Sequence, residues 1–71
     1  MLLFDMVGTY QVTKTINEPG LKITQGTFVD VTVPNAKVDE LRLQWGEGSD
    51  EKTRMTSANF KKYVVPNVTK L

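Results

Sequence analysis

The sequence predicts an all-β fold, one small domain built as a closed sheet or sandwich of about five short strands. Three observations carry this expectation. β-Branched and aromatic residues recur at period two in several short runs. Gly, Pro and Asn punctuate those runs at close spacing. No segment longer than a turn or two carries a helical period.

The run Gly26–Val33 is the centre of the pattern. Val29, Val31 and Val33 alternate with Asp30 and Thr32, as a half-buried strand requires, between Gly26 and the turn pair Pro34-Asn35. Before it, Thr9–Ile16 puts Tyr10, Val12 and Ile16 on one face with Lys14, and threonines with Gln11 on the other. Lys14 would sit at a rim, its stem along apolar surface and its charge in water. Asn17-Glu18-Pro19-Gly20 reads as the clearest turn, because Pro presets φ and Gly accepts positive φ, as a type II turn demands. Leu21 and Ile23 then alternate with Lys22 and Thr24.

Residues 37–40 read as loop. Leu41, Leu43 and Trp45 alternate with Arg42 and Gln44, and after an acidic Gly-containing loop the chain returns over Lys52–Thr56. Pairing Trp45 with Thr53 and Leu43 with Met55 keeps Arg42 and Gln44 with the charges of the return strand on the polar side, whereas a one-residue slip would turn those charges to the core. The connection is then odd or bulged, with Gly46 or Gly48 supplying positive φ. Thr56 or Ser57 reads as an N-cap, and Phe60, Tyr63 and Val64 share one face of a short helical or 3₁₀ turn. Val64-Val65-Pro66 is expected to return to extended structure as an edge, and residues 67–71 to fray. Residues 1–7 read as an N-terminal strand or arm.

From Ile23 through Gly26 to Val29 and Val31, then Trp45, then Ser57 to Phe60 and Tyr63-Val64, the order of features resembles the SH3-like small β-barrels, in particular the bacterial and phage-type SH3 domains. The resemblance spans roughly residues 10–65. It implies a five-stranded SH3-like barrel with one short 3₁₀ turn before the last strand, and a role in binding peptide, cell wall or nucleic acid. An aromatic groove of Tyr10, Trp45 and Tyr63 would take the ligand. The acidic loop and the Pro before the final Tyr that accompany proline-rich recognition in the family have no match here.

Composition narrows the chemistry. At 71 residues the chain makes one domain, and its hydrophobic content of 39% supplies one small core. A chain this short buries only roughly 60% of its unfolded surface. With no Cys and no His, the commonest general base, the thiol nucleophile and the usual zinc ligands are missing from the sequence. Asp39-Glu40 and Asp50-Glu51 are adjacent pairs in expected loops, a spacing that does not converge two carboxylates on a substrate. The expectation is a non-enzyme with no cofactor and no metal. Glu47–Glu51 matches no calcium-loop spacing.

Net charge is +1, without the excess of a dedicated nucleic-acid binder. No apolar run has the length of a membrane span, so the expected setting is the cytoplasm or the inside of a larger particle. The leading functional expectation is an interaction domain that binds a protein or peptide partner, as part of a phage or mobile-element assembly. Its candidate contact residues are Tyr10, Phe28, Trp45 and Tyr63. Trp45 has a competing reading as core, because it alternates with Leu41 and Leu43. Phe28 is an aromatic on the polar side of the central strand, covered by residues 1–6 or by a partner; the chain is either a monomer or a weak homo-oligomer. The alternative is a nucleic-acid-binding barrel in which Arg42, Lys52, Arg54, Lys61 and Lys62 form a basic stripe beside Tyr63.

Overall fold

A computed structural model describes residues 3–35 and 37–71. The strands are β1 (Gly8–Val12), β2 (Ile16–Glu18), β3 (Leu21–Ile23), β4 (Phe28–Thr32), β5 (Leu41–Trp45), β6 (Glu51–Met55) and β7 (Val68–Lys70). Five of them form an antiparallel sheet in the order β6-β5-β4-β1-β7, and β2 and β3 pair as a separate hairpin. The chain is mostly β, as its period-two runs predict. Among the described residues no helix is long and apolar enough to cross a membrane.

The valine run lies at the middle of the large sheet. Val29 and Val31 sit opposite Tyr10 and Gly8 on β1, and opposite Trp45 and Leu43 on β5. Both valines are buried, together with Val12, Leu41 and Leu43, and with Ile16, Leu21 and Ile23 from the hairpin. The two sheets therefore share a single core. Thr9 and Asp30 face the other side of the large sheet, where the Thr9 hydroxyl donates to the Asp30 carboxylate at 2.9 Å.

The strand expected over Thr9–Ile16 is two strands. The chain bends at Thr13-Lys14, whose amides both donate to the Asn67 carbonyl, at 2.8 and 3.2 Å. Lys14 is exposed at that bend. Ile16–Glu18 then belongs to the small hairpin, which turns through Pro19-Gly20 with Gly20 at φ 79°. That is the positive φ a type II turn needs at its third position.

In the β5–β6 hairpin the faces agree with expectation and the register does not. Leu43 lies opposite Thr53, Leu41 opposite Met55 and Trp45 opposite Glu51, a shift of two residues from the expected pairing of Leu43 with Met55. A two-residue shift preserves the side on which each side chain points. The reason is the connection: a 3₁₀ turn at Glu47–Ser49, entered with Gly46 at φ 89° and bent at Gly48 with φ 69°, is compact enough for pairing to run up to Trp45.

The C-terminal third departs most. Thr56 caps α1 (Ser57–Asn59): its hydroxyl accepts from the Asn59 amide at 3.2 Å, while the Ser57 amide donates to Asp39 Oδ1 at 3.1 Å. The helix does not stop there. It widens into a π-helical turn, Phe60–Val64, closed by the Val65 amide donating to the Phe60 carbonyl, and then tightens into a 3₁₀ turn at Val65–Asn67. The expected extended Val64-Val65-Pro66 is thus helical. Proline is tolerated at the start of a helical turn because its missing N–H would have no partner there. The wide turn keeps Phe60 and Val64 both buried in the core.

Residues 67–71, expected to fray, include β7, which pairs with β1 through Tyr10↔Lys70 and Val12↔Val68. At the other terminus, Leu3–Met6 is a 3₁₀ turn rather than a strand, and Met6 is buried. Residues 1 and 2 of the expected arm lie outside the described residues. Lys70 Nζ donates to the Asp5 carbonyl at 2.8 Å, tying the two ends together.

Leu43→Ala should lower the unfolding free energy by about 2–5 kcal/mol, and Thr56→Ala by about 1 kcal/mol, in equilibrium urea titrations. Phe28→Ser, at a residue 57% exposed, should change it by less than about 0.5 kcal/mol.

Candidate partner-binding surface

Strand β6 is the edge of the large sheet, and its residues alternate between two sides. On the outward side, Arg54 lies opposite Arg42 and Lys52 opposite Gln44. These four side chains, with Thr53, line one open hollow. The structure therefore gathers Arg42, Lys52 and Arg54 as the sequence suggests. Two guanidinium groups directly across a strand pair repel, so this arrangement costs stability locally. Arg54 Nη1 lies 3.9 Å from Glu40 Oε1 with its side chain 58% exposed, an ion pair of little strength. Lys61 and Lys62 are exposed on the π-helical turn and do not line that hollow. The Lys62 ammonium sits 5.1 Å above the centre of the Tyr63 ring.

On the inward side of β6, Thr53 and Met55 are half-buried. Here the Pro19-Gly20 turn comes up beside the strand, leaving a shallow trench along it. One part is bordered by Leu21, Met55 and Tyr63, the other by Lys22, Trp45 and Glu51, and Gly20 and Thr53 belong to both. Trp45 and Tyr63 are half-buried and packed against the core. Each part of the trench thus carries one aromatic residue.

The expected aromatic groove is only partly present. Tyr10 is buried: its hydroxyl donates to the Met6 carbonyl at 2.7 Å and its ring meets Phe60 edge-on, with centroids 5.7 Å apart. It is a core residue and offers no contact surface. The SH3-like resemblance implies a ligand-facing Tyr10, whereas here the helical segment lays Phe60 against its ring. Phe28 is exposed on the outward side opposite Gln11, away from Trp45 and Tyr63. Pro19, Gly20, Lys22 and Thr53 also belong to the surface, which strand alternation does not foretell. The turn signal was legible, but its approach to β6 is a tertiary contact. Among the described residues, no three His, Cys, Asp or Glu side chains converge as a cation site.

Burial raises the Tyr10 pKa above the ordinary tyrosine value of 10.0, because the interior disfavours phenolate. A raised folded-state pKa contributes stability that is fully present below the unfolded tyrosine's pKa and lost as pH rises through the folded one. The unfolding midpoint should accordingly fall on the alkaline side of pH 10 more steeply in the parent protein than in Tyr10→Phe, in paired urea titrations across that range. No protein-family model, no curated protein and no solved structure matches this chain.

Proposed function

We propose that this chain is a non-catalytic interaction domain that binds a protein or peptide partner along the trench beside β6. The observation that supports this most is the pair Trp45 and Tyr63, half-buried in the two parts of a trench that share Gly20 and Thr53. Aromatic rings fixed on one side by a core and open on the other give large contact area at little entropic cost, and such residues anchor interfaces. We read the architecture as an SH3-like barrel. A five-stranded antiparallel sheet, a hairpin inserted before the valine strand and a helical turn before the last strand support that reading. Fold does not fix function, so the proposal stands on the trench. We place the domain in the cytoplasm or inside a larger assembly, of phage or mobile-element type.

A second reading, nucleic-acid binding, is favoured by one observation: Arg42 and Arg54 face each other with Lys52 beside them on an open surface. Backbone phosphates would relieve that repulsion.

An amide-shift titration separates the two. A mixed peptide pool should move the Trp45 indole and the Thr53 and Tyr63 amides, and DNA or RNA oligonucleotides should leave them in place. Shifts produced by oligonucleotides alone and lost in Arg42→Glu with Arg54→Glu would establish the second reading instead. No response to either ligand would remove both.

A further inference from the structure

Strand β6 has one hydrogen-bonded neighbour, β5. In an antiparallel pair, alternate residues turn their N–H and C=O groups toward the partner strand and the others turn away. About half of the β6 backbone groups therefore point to the open side. Among the described residues, no backbone hydrogen bond runs from Glu51–Met55 to any segment besides β5. The strand is a ready template for one more.

Edge strands are commonly guarded against pairing by charged side chains, and Lys52 and Arg54 would serve as guards. Guarding does not account for Arg42. It lies one strand in from the edge and directly opposite Arg54, where it adds repulsion and protects nothing. Three cations on one side of an open edge instead select a strand of opposite charge.

We infer that β6 accepts an extended acidic polypeptide segment as an added strand, with Asp or Glu at alternate positions. This rests on the proposed interaction function and names its ligand. Acidic side chains of the added strand would fall on the outward side, beside Lys52 and Arg54, with Arg42 one strand further in. The residues between them would fall on the inward side, in the trench beside Thr53 and Met55, and small apolar side chains suit it. Backbone hydrogen bonds would supply affinity and the alternating sides specificity. A single-stranded nucleic acid suits the surface less well. Its phosphates and stacked bases would need cations and open rings on one path. Cations do border both rings, Lys22 and Lys52 beside Trp45 and Arg54 and Lys62 beside Tyr63, but a nucleic acid offers no regular run of N–H and C=O groups to the open side of β6. An added strand reaches both sides because its side chains alternate.

The test uses the whole chain and the capped peptide Glu-Val-Glu-Val-Glu-Val, with the matching Lys-Val peptide and an oligothymidine as comparisons. The acidic peptide should shift the Lys52–Met55 amides and slow their hydrogen exchange, and the Lys-Val peptide should not. Arg42→Glu with Arg54→Glu should weaken the acidic peptide by about tenfold or more and gain the Lys-Val peptide, a swap that a merely unfolded variant would not show. N-methylation of one alternate set of peptide amides should abolish binding and of the other set should be tolerated. Equal binding of both N-methylated peptides would overturn the inference, as would displacement of the acidic peptide by oligothymidine through the same amides. If the acidic peptide leaves β6 unmoved while a peptide pool still shifts Trp45 and Tyr63, the added strand is wrong and the interaction reading stands. If neither responds, both are wrong.

Discussion

Val29 and Val31 leave almost no surface exposed on the inner side of β4, and the other elements take their places by reaching them. β1 and β5 reach them through the backbone ladder, with Tyr10 and Gly8 on one flank and Trp45 and Leu43 on the other. The small hairpin reaches the same core through Ile16, Leu21 and Ile23, and the helical segment through Phe60 and Val64. A chain of 71 residues holds little apolar surface, so no element can be buried independently of this centre. The hydroxyl of Tyr10 carries a polar group into that centre, and the Met6 carbonyl satisfies it.

The same constraint makes the surface beside β6. Leu41 and Leu43 bind β5 to the core, and β6 is held to β5 by pairing and by Thr53 and Met55, which are only half-buried. The hairpin turn at Pro19-Gly20 comes up against β6 because β2 and β3 must lay Ile16, Leu21 and Ile23 over the sheet. The trench is the gap between two elements that share a core and do not pair. Its outward rim is basic because side chains on a strand alternate, and the positions between the inward ones carry Lys52 and Arg54.

Much of the fold was legible because strand physics is local. The alternation of Val29, Val31, Leu41 and Leu43 with polar residues named their buried faces, and each is buried. A cap at Thr56 or Ser57 and a turn at Pro19-Gly20 are readable from side-chain and φ preferences within a few residues, and the choice of Thr56 is made by the fold. The errors share a cause. The hairpin slipped by two residues because a period-two pattern is unchanged by that shift, and only the compact turn at Glu47–Ser49 chooses between the alternatives. Pro66 and residues 67–71 read as endings in the sequence because a proline and a short polar tail are common there. Here the tail is held by pairing with β1, and the proline by helical turns that keep Val64 inside.

The candidate surface was half legible for a related reason. Arg42, Lys52 and Arg54 could be grouped from strand alternation alone. That Tyr10 is covered by Phe60 while Trp45 and Tyr63 remain half-open is decided by which segment lies over each ring. By itself, the sequence determined the period, and so which side of each strand is apolar and which is charged. The tertiary structure decided which residue stands opposite which, and which edge stays open, because both depend on segments distant in the chain meeting over one small core.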